Sequence, residues 1–288
     1  MRLKFAIVGG DERLARLAAL LAADGHRVTS YALELAELPK EVPKAGCLQG
    51  CVYGSDCVVL PLPAEKGGLI NAPLGSARLS TEELLSSLWR GQRLFGGALG
   101  DALCLGALRQ GLGVTDLMLR EDFAVGNAAL TAEAAIGELI AASPRSLWRS
   151  RAMVCGWGRV GKLLTLRLLA LGASVTVAAR RSSDRALAAA VGAEATDIAG
   201  IEGAASECDF IVNTAPARVI PDAALCAAKP GALLLELASA PGGFDAALAE
   251  NIGLRTVRAP GLPGRRSPQS AAELMRDAVY AALGEGED

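Results

Sequence analysis

The chain has 288 residues, 51% of them hydrophobic, which suits two α/β cores better than one. Charged residues make up 21%, the formal net charge is −2 and aromatic residues are only 4%. That balance excludes a polyanion or an anionic membrane surface as partner, so neither nucleic acid nor membrane binding is expected. From the amino terminus, Leu3 to Val8 is a short apolar run ended by Gly9-Gly10. A helical stretch, Leu14 to Ala23, follows, and His26 to Tyr31 reads as the next strand, which completes a βαβ unit. The opening run is too short for a signal peptide, and no stretch of ~20 apolar residues is found, so a cytoplasmic location is expected. Further strands are expected at Cys57 to Leu60, Arg93 to Phe95 and Val114 to Leu117. Helices are expected at Thr81 to Trp89, with Ser80 and Glu83 as a capping box, and at Asp101 to Gln110.

Asn127 to Ala142 reads as a long linking helix ended near Pro144. A second alternation then begins, with strands at Ala152 to Cys155, Ser174 to Ala178, Phe210 to Asn213, Ala232 to Leu237 and Leu254 to Val257. Val160 to Leu171 and Pro268 to Leu283 have helical periodicity. The fold class is α/β, with two Rossmann-like domains, the second a doubly wound parallel sheet. The expected boundaries are 1–125 for the first domain, 126–148 for the linking helix and 149–265 for the second domain. A terminal helix over 266–288 is expected to pack back toward the first domain.

The sharpest local signal is Gly156-Trp157-Gly158-Arg159-Val160-Gly161, between a strand and a helix. Gly156 permits the tight turn, Gly158 lets a pyrophosphate approach the backbone, and Gly161 lets the helix pack on the sheet. The helix N-terminus then offers N–H groups to the phosphates. A dinucleotide that sits here is usually an NAD if an acidic residue follows the next strand. Here that strand runs into Arg180-Arg181-Ser182-Ser183. Two guanidiniums and two hydroxyls suit a 2′-phosphate, so NADP is the expected cofactor. The alternative, solvated turn arginines, stays open. Gly9-Gly10-Asp11 lacks the third glycine, so the first domain is expected to bind substrate or partner rather than a second nucleotide.

With those residues in view, the chain resembles the dipicolinate synthase A-subunit family of spore-forming bacteria. The resemblance is carried by Ile7-Val-Gly-Gly-Asp11, Asn127-x-x-x-Thr131-Ala-Glu133, the glycine loop and Ala179-Arg-Arg-Ser-Ser183. Its most distinctive parts are Asn213-Thr-Ala-Pro216, Leu237-Ala-Ser-Ala-Pro-Gly-Gly243 and Ala259-Pro-Gly-Leu-Pro-Gly264. The resemblance implies NADP-dependent oxidation of dihydrodipicolinate, formed from the lysine-pathway aldol product, to dipicolinate. It implies that the partner is the synthase's B subunit, that the substrate is a small dicarboxylate, and that the work is done in the mother cell during sporulation. Association into a homo-oligomer is left open.

Several residues gain expected roles in that light. Asn213, Thr214 and Pro216 end a strand on the ligand side of the sheet and would lie along the cofactor, or be an ordinary turn. Ser239 would donate to the nicotinamide amide or a substrate carboxylate. Pro263, Gly264, Arg265 and Arg266, just before the last helix, would form an anion site for the dicarboxylate, or a solvated basic turn. The family leads one to expect a lysine near Gln269, and this chain has the two arginines earlier instead. Asn127, Thr131 and Glu133 are expected to begin the linking helix and reach substrate, or merely to cap it. Glu133 and Ser239 are the catalytic candidates, and no base is identified. Two alternatives remain open: an NADP-dependent dehydrogenase of another small carboxylic acid, and a non-catalytic nucleotide-binding scaffold. The lone His26 reads as a turn residue, and without a Gly-x-Ser-x-Gly elbow a hydrolase is set aside. The seven cysteines read as reduced and buried; a zinc site at Cys47, Cys51 and Cys57 is not favoured, and no metal is expected.

Overall fold

The structure is a computed structural model and describes residues 2–285. It forms two compact units, one of residues 1–127 with 264–288 and one of residues 128–263. The first unit opens with β1 (Lys4–Val8), α1 (Glu12–Ala23) and β2 (Arg27–Tyr31). There follow α2 (Leu48–Val52), β3 (Cys57–Val59) and a short antiparallel hairpin, β4 (Glu65–Lys66) with β5 (Leu69–Ile70). Next come α3 (Thr81–Ser86), β6 (Arg93–Gly96), α4 (Asp101–Arg109), β7 (Gly113–Asp116) and α5 (Glu121–Ala142), within which the division into units falls. The second unit continues with β8 (Arg151–Cys155), α6 (Arg159–Ala170), β9 (Ser174–Ala178), α7 (Ser182–Ala190) and β10 (Glu194–Thr196). Then come α8 (Ile201–Ala205), β11 (Phe210–Asn213), α9 (Asp222–Ala227), β12 (Leu233–Glu236), α10 (Ala246–Asn251) and β13 (Arg255–Arg258). The chain closes with α11 (Leu262–Arg266) and α12 (Pro268–Gly284).

Both main sheets are wholly parallel. The first has the order β2-β1-β3-β6-β7 and the second β10-β9-β8-β11-β12-β13. Counted within each unit and without the hairpin, these are the orders 2-1-3-4-5 and 3-2-1-4-5-6, the two common doubly wound arrangements. A parallel sheet must be covered on both faces, and the strands show how. Phe5 and Ile7 of β1 point to the side of α1 and α12, whereas Ala6 and Val8 join Leu48, Leu84 and Leu103 on the other. In β8, Ala152 and Val154 pack with Leu164 and Leu168 of α6, while Met153 and Cys155 pack with Ile201 and Leu225.

Four expectations need correction. The linking helix starts at Glu121, not Asn127, and runs through Gly126: a Cβ there would meet the side chain of Leu274, so the glycine serves close packing of α12. Asn127, Thr131 and Glu133 therefore lie inside this helix rather than at its start. That helix is also long and apolar enough, by length and composition, to cross a membrane, where no such stretch was expected; Ala132, Ala135 and Leu139 instead enter the core of the second unit. α3 ends at Ser86 rather than Trp89, since the hydroxyls of Ser86 and Ser87 both donate to the Glu83 carbonyl and compete with the next helical turn. Pro263 to Arg266 is a short helix rather than a turn.

His26 sits at the start of β2, where its Nδ1 accepts the Leu3 N–H at 3.1 Å and its ring packs edge-on against Phe5. Among the described residues no group of three His, Cys, Asp or Glu side chains is placed to hold a metal. Cys51, Cys57 and Cys155 are buried, and burial pushes each thiol up to about 12; Cys208 rises to about 11 for the same reason. Cys47 and Cys226 are exposed, contrary to the reading of all seven as buried. An alkylating agent at pH 8 should therefore modify Cys47 and Cys226 in the native protein and spare those four, as read by peptide mass spectrometry; early labelling of Cys155 would contradict the fold.

Packing on α6 gives a second test. Leu164 is fully buried and Leu166, two residues on, is 46% exposed. Leu164→Ala should cost ~2–5 kcal/mol in urea unfolding, and Leu166→Ala less than about 0.5 kcal/mol.

Candidate functional site

In the second sheet, β8 lies between β9 and β11, so the chain leaves it at the point where the strand order reverses. Ligands of open parallel sheets settle beyond the carboxyl ends of strands at that point. Three loops meet there. The Gly156 N–H donates to the Ala178 carbonyl at 3.0 Å, which ties the glycine loop to the end of β9. Thr214 donates both its N–H, at 2.9 Å, and its hydroxyl, at 3.0 Å, to the Cys155 carbonyl, which ties the loop after β11 to the same strand.

The glycines have separable reasons. Gly156 turns with φ +109°, a conformation that side chains disfavour. A Cβ on Gly161 would overlap the Gly156 carbonyl oxygen, so α6 can press on the loop only without one. A Cβ on Gly158 would meet nothing within 4 Å, so it marks the open face of the loop. Gly158 is also the N-cap of the 12-residue α6, and no side chain caps that end. Its first N–H groups are left for an anion.

The loops enclose a cavity of about 320 Å³, lined by Gly156, Trp157 and Gly158, by Ala178 to Arg181 and Asp184, and by Ile198 and 214–217 with Val219. Arg180 and Arg181 are exposed at its mouth, and among the described residues neither makes an ion pair. Arg185 turns inward and donates to the carbonyls of Ala179 and Arg180 at 2.9 and 2.8 Å, which fixes the chain beneath them. The indole N–H of Trp157 is buried without a hydrogen-bond partner. A buried orphan donor is costly and invites an acceptor from a ligand. A helix N-terminus, a bare indole N–H and two guanidiniums together fit a phosphate-bearing group.

The structure thus gathers Gly156, Gly158, Arg180, Arg181, Thr214 and Pro216 of the expected residues around one cavity. Gly161 lies beneath it, and Arg159, Val160 and Ser182 stand at the helix starts alongside. Asn213 differs: its side chain is fully buried, and both its amide atoms bond within the protein, so it supports the loop rather than lining the cavity. Ser239 is exposed on the loop after β12 and does not line the cavity. Pro263 and Gly264 are buried, and a Cβ on Gly264 would meet the Asp11–Arg13 ion pair, so these two serve packing rather than an open anion site. Arg265 and Arg266 are exposed. Sequence reasoning missed Trp157, Asp184, Ile198 and Val219. Only Asp184 had a readable signal, a carboxylate one helical turn beyond Arg180.

Comparisons with known proteins agree with this geometry. Residues 117–262 match the family described as D-isomer specific 2-hydroxyacid dehydrogenase, NAD binding domain, and residues 4–118 match the N-terminal domain of the dipicolinate synthase A subunit. The chain belongs to the first of these families, a dehydrogenase class of oxidoreductases that binds a nicotinamide dinucleotide. The chain is also similar to the dipicolinate synthase A subunits. It is 32% identical over 169 residues to the A subunit of dipicolinate synthase from Bacillus subtilis (strain 168), a match over 59% of this chain and 57% of that protein. All of this chain superposes on 98% of the crystallised A subunit from Bacillus subtilis, with a TM-score of 0.85 at 26% identity. The A subunit from Bacillus halodurans gives the same TM-score and identity over 98% of this chain and 97% of that one.

Gly158→Ala and Gly161→Ala should separate binding from packing. Gly158→Ala should cost less than about 1 kcal/mol in stability yet weaken dinucleotide binding about tenfold or more in calorimetric titration. Gly161→Ala should cost ~1–3 kcal/mol of stability by forcing α6 off the loop. Wild-type affinity in Gly158→Ala would move the pyrophosphate off this loop.

Proposed function

We propose that the chain is the A subunit of a dipicolinate synthase that oxidises dihydrodipicolinate to dipicolinate with NADP⁺. The substrate would come from the lysine-pathway aldol product, and the chain would act with a B subunit in the cytoplasm of a sporulating mother cell. The observation that carries the cofactor choice is the pair Arg180 and Arg181 at the cavity mouth, next to the end of β9. Two guanidiniums can engage a 2′-phosphate, and Ser182 at the start of α7 adds a hydroxyl. The N–H groups of 158–161 and the Trp157 indole would hold the pyrophosphate and its surroundings, and Thr214 and Pro216 would wall the far side. When bound, NADP⁺ accepts a hydride, and dihydrodipicolinate loses that hydride and one proton to become the aromatic diacid. Such a reaction asks for orientation more than for a strong base. For substrate we assign Arg265 and Arg266 as carboxylate partners and Asn127 and Thr131 as polar contacts, with Glu133 and Ser239 as candidates for proton handling.

A second cofactor reading has its own observation. Asp184 lines the same cavity, and a carboxylate there can accept from ribose hydroxyls, as NAD requires. Titration calorimetry with NADP⁺ and NAD⁺ decides between them. We expect NADP⁺ to bind at least about tenfold tighter, and Arg180→Ala/Arg181→Ala to remove that preference while leaving NAD⁺ unchanged. Equal affinities in the wild type, with loss of NAD⁺ binding in Asp184→Asn, would establish NAD instead. Freshly made aldol product with NADP⁺, with and without the B subunit, then tests the reaction. NADPH without dipicolinate would point to another small acid, and nucleotide binding without turnover in either mixture to a scaffold.

A further inference from the structure

The last residue of β12 is Glu236, at the end of an otherwise apolar strand, and it is 2% exposed. A carboxylate taken from water is costly unless its oxygens are bonded. Here every partner is an N–H donor. Oε1 accepts from the Asn213 amide at 2.7 Å and from the Ala238 N–H at 2.9 Å, and Oε2 accepts from the Gly243 N–H at 2.6 Å. Asn213 is its neighbour in register on β11. The same Asn213 amide nitrogen donates to the Ala215 carbonyl at 2.9 Å, and its oxygen accepts the Ala215 N–H at 3.2 Å. Across the network, the Gly243 carbonyl accepts the N–H groups of Val219 and Ile220 at 3.0 and 2.9 Å. Both glycines are shaped to the carboxylate. Gly242 has φ +90° with its absent Cβ 3.0 Å from Oε2, and a Cβ on Gly243 would overlap the Asn213 side chain.

One buried carboxylate thus holds both ends of segment 213–220, and that segment supplies Thr214 to Ala217 and Val219 to the cavity wall. We propose that Glu236 is a positioning residue for the nucleotide cavity: through Asn213 and Gly243 it fixes the wall that faces the glycine loop. The proposal rests on the nicotinamide-dinucleotide reading of that cavity. An apolar residue would end the strand as well but would leave one N–H of the Asn213 amide and two backbone N–H groups unpaired.

Glu236→Gln tests it in the full chain. Glutamine brings one acceptor oxygen and an NH₂ group, so at least one of the three donors must face a donor. Amide hydrogen exchange across 214–220 should quicken about tenfold or more, with that of β8 and α6 unchanged. NADP⁺ affinity by calorimetry should fall about tenfold, and that loss should shrink in an Asn213→Ala background, since the two changes share one of the two connections. Unchanged exchange over 214–220, or losses that simply add, would overturn the proposal. If exchange quickens but wild type binds neither NADP⁺ nor NAD⁺, the wall is held as stated and the dinucleotide reading of the cavity fails. Should Glu236→Gln not fold, Glu236→Asp takes its place with the same readouts; failure of both to fold would make the carboxylate a requirement of the fold alone and sink the proposal.

Discussion

The second unit hangs on the close approach of α6 to the loop that follows β8. Gly161 sits against the Gly156 carbonyl with no room for a methyl group, and this sets the height of the helix over the sheet. From that height follow the position of the uncapped N–H groups at Gly158, the packing of Leu164 and Leu168 on Ala152 and Val154, and the gap into which Thr214 fits. A wider gap would separate the glycine loop from the loop after β11 and open the cavity to water. The cavity is in this sense a by-product of helix-on-sheet packing, with Arg180 and Arg181 added at its rim.

The first unit has the same layer plan and shows what a closed version of that edge looks like. After β1 the chain also turns through two glycines, but a Cβ on Gly10 would collide with Leu14, so the loop lies flat on its helix. Asp11 then caps α1, accepting the Arg13 N–H at 3.1 Å and pairing with the Arg13 side chain, which also donates to the Leu62 carbonyl. The donors that would greet a phosphate are already satisfied by the protein's own carboxylate. Two loops of similar composition thus differ in chemistry through one residue, an aspartate at the N-cap in one unit and a glycine in the other.

Strong periodicity made most of the frame legible. β9 and β11 match their expected bounds, and α6, α12 and the remaining core strands lie within a residue or two, because each buries an apolar run or stripe. What escaped was decided by tertiary contacts. The part of α5 before Asn127 was not expected as helix, and Gly126 within it packs against Leu274. Asn213 reads as a ligand residue until the buried Glu236 claims its amide. In the cavity, the glycine loop and Arg180 with Arg181 were legible because turn geometry and charge are local properties. Trp157, Ile198 and Val219 were not, since nothing local marks an apolar side chain as a cavity wall.

β10 escaped for yet another reason, which matters beyond the site. It is only three residues long, lies at the edge of its sheet and carries Glu194 and Ala195 in solvent, so it has no apolar run to read. The opposite edge, β13, begins and ends with exposed Arg255 and Arg258. Short, charged outer strands are poor templates for another chain to add to. The feature that hid β10 from pattern reading therefore also makes the second unit, in a chain so rich in alanine and leucine, a poor template for edge-to-edge stacking.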